Sequence, residues 1–304
     1  VTKLNAVTGV VIGTYAVGDR PVNIIFESST NSIWVANSYS NSVTKLNTTT
    51  GAVIGTYTVG ERPVNLAFDS STNSIWVANS FSNNVTKLNV STGAVVGTST
   101  VGRRPSGITF EPLTNSVWVT NSEANTVTKL NASTGAVIGT YTTGIYPLGV
   151  VYEPVTKSMW IANYHTNNVT KLSALTGDRV GTHTVGSNPN GITFDTITNS
   201  IWVANRISSN VTKLNPETGE IVGTYTTGTY PNGIIFDSST NAIWTANYMS
   251  NNVTRIAIPK PITTNSVTAN AQQTQTTSVV ALTPNQQRQK DVTSILNAMY
   301  TYYL

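Results

Sequence analysis

The sequence predicts an all-β fold, a six-bladed β-propeller of four-stranded blades. Three observations carry that expectation. A block of 42 residues recurs along most of the 304-residue chain with hardly an insertion. Each copy holds four short segments rich in Val, Ile, Thr and aromatic residues and bounded by Gly, Pro, Asn or Ser, the composition of strands and their turns. No copy has room for a helix, and four strands in about 42 residues match one propeller blade, whose faces are buried only by neighbouring copies.

The first strand reads PVNIIF at residues 21–26 and recurs as PVNLAF, PSGITF, PLGVVY, PNGITF and PNGIIF. The second reads NSIWVAN, NSVWVTN, KSMWIAN or NAIWTAN, with one Trp per copy (Trp34, Trp76, Trp118, Trp160, Trp202 and Trp244). The third, VTKLN, occurs seven times if residues 1–5 and the variant VTRIA at 253–257 are counted, and the fourth, of type GAVIGTY, six times. These are twenty-five segments, and six blades need twenty-four. The chain opens on a third and a fourth strand, so an N-terminal strand is expected to complete the last blade, leaving residues 1–5 or 253–257 surplus. Seven blades would need a further first and second strand, which only degenerate copies in the tail could supply.

The motifs WVAN and WVTN, followed by NxVTKLNxxTGxVxGT and VGxxPxGIxF, resemble the YVTN family of propeller repeats, with Trp in place of the family's Tyr. The resemblance covers residues 1–257 and implies the propeller fold and a place in an extracellular or surface-layer protein. The blades also resemble, more distantly, those of the streptogramin lyase propeller, whose chemistry needs clustered His and Glu with a metal. This chain has two histidines. His183, in VGTHTVG, takes the slot of Tyr15, Tyr57, Tyr141 and Tyr225 and reads as blade packing. His165, in ANYHTNN, lies in a loop with no second His or HxE element beside it, so the lyase motif is not matched.

The other chemistry-bearing residues are absorbed by the repeat. A Trp at one position of every copy reads as core. Glu27, Asp69, Glu111, Glu153, Asp195 and Asp237 all open the turn after the first strand, where a carboxylate accepts backbone N–H groups; calcium there would want more acidic ligands than DSSTN provides. No Ser or Thr is distinguished by a neighbouring base and no Gly-rich stretch forms a phosphate loop. No catalytic residue, metal or cofactor is expected, and the chain reads as non-enzymatic. With no cysteine, a thiolate metal site and a Cys nucleophile are excluded.

The connections divide between two faces. Those on one side are monotonous, ESSTNS or DSSTNS and TTTG or ASTG. On the other, the second-to-third loops read NSYSNS, NSFSNN, NSEANT, NYHTNN, NRISSN and NYMSNN, and the fourth-to-first loops GDRP, GERP, GRRP, GIYP, GSNP and GTYP. Variation among copies on a uniform scaffold points to a binding face. Its candidates are Tyr39, Phe81, His165, Arg206, Tyr248 and Met249 from the first set, and Arg20, Arg62, Arg103, Arg104, Tyr146 and Tyr230 from the second. Arg with exposed aromatics suits a protein partner; Tyr39, Phe81, Tyr146, Tyr230 and Tyr248 would equally suit a glycan. Seven N-glycosylation sequons begin at Asn47, Asn84, Asn89, Asn131, Asn168, Asn210 and Asn252.

Past residue 257 the repeat dissolves. Residues 258–283 form a Thr/Gln/Asn-rich linker with a short strand expected at 278–282. Residues 284–304 read as an amphipathic helix whose apolar face, Val292, Ile295, Leu296, Met299, Tyr300 and Tyr303, would dock on the propeller, on copies of the chain or on another protein. The net charge is +4 and the pI near 9.2, but seven of the seventeen cations (Lys3, Lys45, Lys87, Lys129, Lys171, Lys213 and Arg255) share one repeat position. They are spread around the ring, and no nucleic-acid partner is implied. No apolar run approaches the roughly 20 residues of a membrane-spanning helix. The opening on Val1 reads as a processed or trimmed chain, and the polar, charge-poor composition as that of an extracellular or cell-surface protein.

Overall fold

A computed structural model describes residues 1–5, 8, 10–259 and 277–281. Six four-stranded antiparallel sheets form the blades of a β-propeller. Blade one runs Pro21–Glu27, Ser32–Asn37, Ser42–Asn47 and Val53–Thr58, from the channel outward, and the later blades repeat it at the 42-residue period. The inner strands pack on one another in sequence, from Pro21–Glu27 to Pro231–Asp237, and all six line a common channel. No helix occurs among the described residues.

The second and third strands carry the core. In blade two both are almost wholly buried, from Ser74–Asn79 to Asn84–Asn89, whereas the outer strand Val95–Thr100 is exposed along its length. Five of the six Trp pack between blades: Trp34, Ala36 and Val43 of blade one join Leu66, Ile75, Val77 and Leu88 of blade two in one cluster, and the pattern repeats at later seams, whereas Trp244 packs within blade six. A latch crosses the same seams. The Nζ atoms of Lys45, Lys87, Lys129 and Lys171 donate to the carbonyls of Val90, Ala132, Ala174 and Pro216 at 2.5 to 2.8 Å. Each ammonium also lies 5.2 to 5.4 Å from the ring of its own blade's Trp, so a cation is held in the core by a carbonyl dipole and a π face.

Blade closure differs from the expectation. The sixth blade is completed by Thr277–Ala281, which pairs with Asn252–Ala257; this is the strand expected at 278–282, inside the stretch read as linker. The N-terminal strand Thr2–Leu4 instead pairs with Val11–Thr14 as a separate two-stranded sheet. That sheet lies against blade one, with Val1 packed on Ile24, Val35 and Leu46 and Lys3 Nζ donating to Thr48 O at 2.8 Å. It therefore stands to blade one as the outer half of each blade stands to the next, and neither residues 1–5 nor residues 253–257 are surplus. The helix expected at 284–304, with Val292, Ile295, Leu296, Met299, Tyr300 and Tyr303, lies outside the described residues.

Candidate functional site

The second-to-third and fourth-to-first loops of each blade are tied together by main-chain bonds. Ser38 N donates to Arg20 O at 2.9 Å and Tyr39 N to Asp19 O at 3.2 Å, and the pattern recurs at Ser80 and Phe81, Tyr164 and His165, Arg206 and Ile207, and Tyr248 and Met249. Neighbouring blades are tied too: the amides of Arg62, Arg104, Tyr146 and Asn188 donate to the side chains of Asn41, Asn83, Asn125 and Asn167 at 2.8 to 2.9 Å. Loops held this way present side chains from fixed backbone positions.

Those side chains form a chain of alternating cations and rings. Arg20 lies 4.6 Å from the Tyr39 ring centroid and donates to its hydroxyl. Arg62 lies between blades, 4.1 Å from the Tyr39 ring and 4.9 Å from Phe81. Arg104 sits 5.7 Å from Phe81 and pairs with Glu123 at 2.8 Å, which Arg103 also reaches at 3.1 Å. In blade four Tyr146 packs on Tyr164 and His165, with centroids 6.1 and 4.9 Å away. Arg206 then donates to the Tyr164 hydroxyl at 3.2 Å and lies 5.2 Å from the Tyr230 ring. The electrostatics follow. The hydrogen bond from Arg62, with the charges of Arg20 and Arg62, holds the Tyr39 phenol below its usual pKa. Hydrogen bonding to Arg104 lowers Glu123, and burial raises Tyr146 against the pull of Arg104. Tyr39 and Phe81 nonetheless remain 52% exposed, and Met249 55%.

The backbone beneath this face is unusual at one position per blade. Arg20, Arg62, Arg104, Tyr146, Asn188 and Tyr230 all have φ between 50° and 60°, the left-handed region that costs a residue with a Cβ about 1–2 kcal/mol and that Asn tolerates best. Blade five uses Asn. The other five place Arg or Tyr there, whereas most other left-handed residues outside glycine are Asn, as at Asn31, Asn41, Asn73 and Asn83.

The twelve residues that the sequence offers for this face thus lie on its two sets of loops. Sequence reasoning missed Glu123, which pairs with Arg103 and Arg104, and Tyr164, which links Tyr146 to Arg206. Tyr164 shares its repeat column with Arg206 and Tyr248, and Glu123 shares its column with Tyr39 and Phe81, so comparison by column would have found both. His183 stacks on Trp160 at 5.3 Å as Tyr57 does on Trp34 at 5.6 Å, and burial with the nearby Lys171 charge lowers its pKa. The periodic carboxylates cap their turns: Asp69, fully buried, accepts from Ser71 N and Oγ, Thr72 N and Oγ1, and Trp76 Nε1. Among the described residues no three His, Cys, Asp or Glu side chains gather as metal ligands would.

The sequons fall into two groups. Asn47, Asn89 and Asn131 sit in the turns of the opposite face, each accepting from the backbone N–H groups that follow it. Asn84, Asn168, Asn210 and Asn252 begin third strands, where their carbonyls accept from Asn79, Asn163, Asn205 and Asn247 at 2.8 to 2.9 Å.

Fold and site together define a β-propeller with one specialised loop face. No family model matches the sequence, and no curated protein sequence matches it. Among solved structures it is similar to a streptogramin B lyase, with TM-score 0.72 and 20% identity over 89% of this chain and 86% of that one. Virginiamycin B lyase from Staphylococcus aureus aligns with TM-score 0.71 and 17% identity over 88% and 85%. A protein of unknown function from Desulfotomaculum acetoxidans aligns with TM-score 0.74 and 13% identity over 84% and 88%. At such identities the likeness is one of fold, and function must be argued from the site.

Proposed function

We propose that the chain is a non-enzymatic propeller of the cell surface or extracellular space that binds a protein partner through its variable loop face, as a structural or adhesive unit. The observation that carries the reading is the left-handed backbone at Arg20, Arg62, Arg104, Tyr146 and Tyr230. Asn would make the turn at lower cost, as Asn188 does, so the large side chains are kept for what they contact. Half-buried Arg and Tyr side chains beside the exposed rings of Tyr39 and Phe81, all on preorganised loops, are the material of protein-interface hot spots. A glycan fits less well, because Tyr39, Phe81 and Tyr230 each already carry a guanidinium near the ring. The extracellular setting rests on composition and on the YVTN resemblance.

A photo-crosslinking residue at position 81, compared with one at position 54 on the outer rim, tests the proposal in the native cell. A partner captured from 81, absent from 54 and lost in Arg62→Asn supports it. Equal capture at both positions contradicts it, and saturable binding on a glycan array that is lost in Tyr39→Ala would favour the lectin alternative.

The fold shared with the streptogramin B lyases favours a second reading, a lyase-like enzyme using His165 among Tyr146 and Tyr164. Incubation with quinupristin decides it: consumption by the full chain, abolished in His165→Ala, would replace the binding proposal with an enzymatic one.

A further inference from the structure

The propeller's central channel is lined by all six blades. Its cavity is about 330 Å³, within the usual range for small-ligand pockets. None of its described lining residues is charged or a histidine. The polar groups are carboxamides and hydroxyls instead. Asn23 and Asn65 come from blades one and two, Asn190 and Asn232 from blades five and six, and Thr109 and Thr193 from blades three and five. Phe68 and Phe110, which also pack on the cores between blades, are among its apolar lining residues.

The carboxamides break the repeat. Blades one and two read Pro-Val-Asn where blades five and six read Pro-Asn-Gly, so the amide moves one residue along the strand between the two halves of the ring. Strand pairing sets these residues near the start of each inner strand, where Pro21 lies opposite Asn37, and so toward the variable loop face. Asn190 Nδ2 donates to Asn232 Oδ1, which fixes that pair. Asn65 Oδ1 accepts from Leu66 N at 2.9 Å. Asn23 is different: it is only 1% exposed, and its Oδ1 has no hydrogen-bond partner. An orphaned buried carbonyl costs stability and calls for an explanation. That oxygen is closed to solvent as it stands, so a bound molecule supplies its donor once the side chain turns into the channel.

We propose that the channel binds a small neutral polyhydroxylated ligand, a single sugar ring, with its hydroxyls on the carboxamides and on Thr193, and its apolar face toward Phe68 and Phe110. A lining that offers both donors and acceptors but no charge suits hydroxyl groups and disfavours carboxylate or ammonium groups, which would be desolvated without a counter-charge. The site is independent of the protein-binding proposal for the loop face.

Isothermal titration of the full chain with a panel of neutral hexoses and N-acetylhexosamines tests it, with glucuronic acid and glucosamine as charged controls. The expected result is saturable binding of at least one neutral sugar and at least about tenfold weaker binding of the charged ones. Asn23→Leu should weaken the neutral sugar about tenfold or more while leaving the melting temperature unchanged or higher, because the unpartnered carbonyl is removed. Thr193→Val, which keeps shape, should weaken it severalfold and serves if Asn23→Leu fails to fold. Tyr39→Ala should leave it unchanged. Absence of neutral-sugar binding, a charged sugar bound as well as a neutral one, or full affinity in both Asn23→Leu and Thr193→Val would overturn the proposal. So would loss of binding in Tyr39→Ala, which would move the sugar to the loop face.

Discussion

Replacing Asp69 by Asn probes the device that every blade uses to turn from its first strand into its second. The carboxylate is fully buried and accepts from two main-chain amides, two hydroxyls and the Trp76 indole, the last at 3.4 Å. An amide oxygen can keep the bonds from Ser71 and Thr72 N, but without charge assistance. The amide nitrogen then faces the indole N–H, donor against donor. Hydrogen bonds to a charged group contribute about 1.5–3 kcal/mol against about 0.5–1.5 for neutral ones. Weakening the three bonds to one oxygen, reversing the bond with the Thr72 hydroxyl and losing the indole bond, with partial relief from no longer burying a charge, comes to about 2–4 kcal/mol. Burial pushes the Asp69 pKa up, but the bonds from Thr72, Ser71 and Trp76 outweigh it and hold it below the usual value. A carboxylate with a lowered folded pKa contributes stability that is complete above its unfolded pKa, about 3.9, and is lost as pH falls through the folded pKa. Denaturant titrations of wild type and Asp69→Asn across pH 7 to 2 should therefore show a constant gap at neutral pH that narrows only in acid. Asp237 is less buried and lacks the indole contact, so Asp237→Asn should cost about half as much. A gap below about 0.5 kcal/mol, or one that does not change in acid, would refute the reasoning.

Lys87→Met removes an inter-blade latch and leaves Ala132 O without its donor, so a loss of about 1–3 kcal/mol is expected in chemical denaturation. His183→Tyr restores the residue of neighbouring blades. Because burial lowers the His183 pKa, wild type should lose stability as pH falls below about 6.5 while the Tyr variant loses less, measurable as melting temperature between pH 8 and 5. Gly107→Ala would bring a methyl group to 2.1 Å from Leu148 O, and a loss of about 1–3 kcal/mol or more is expected on heating. A chain ending at Lys260 lacks Thr277–Ala281 and exposes the edge of Asn252–Ala257. It should self-associate in light scattering where a chain ending at Ala281 does not.

Much of the fold was legible because one repeat constrains every copy. The period, the strand composition and the Trp column give blade number and strand order, and the carboxylate column gives the turn chemistry. The closing strand was harder. Thr277–Ala281 follows a polar stretch, carries none of the Val-x-Gly-Thr-Tyr pattern and is selected by the unpaired edge of Asn252–Ala257, a tertiary demand rather than a local one. The N-terminal pair forms its own sheet against blade one for the same reason, since VTKLN fits any third-strand position and packing decides which. The loop face was legible as variation. What sequence did not show is that Arg20, Arg62, Arg104, Tyr146 and Tyr230 sit at left-handed φ, because no propensity favours Arg or Tyr there.

The most direct test of the loop-face account combines Arg20→Asn, Arg62→Asn and Arg104→Asn in one chain and measures stability beside capture of the partner crosslinked from position 81. Relief of about 1 kcal/mol of backbone strain per site opposes the loss of half-buried cation–π contacts and of the Arg104–Glu123 ion pair, each worth about 0.5–1 kcal/mol. Folding stability within about 1 kcal/mol of wild type, with capture abolished, is therefore expected. A variant several kcal/mol less stable would make the arginines structural, and a stable variant that still captures the partner would place binding elsewhere.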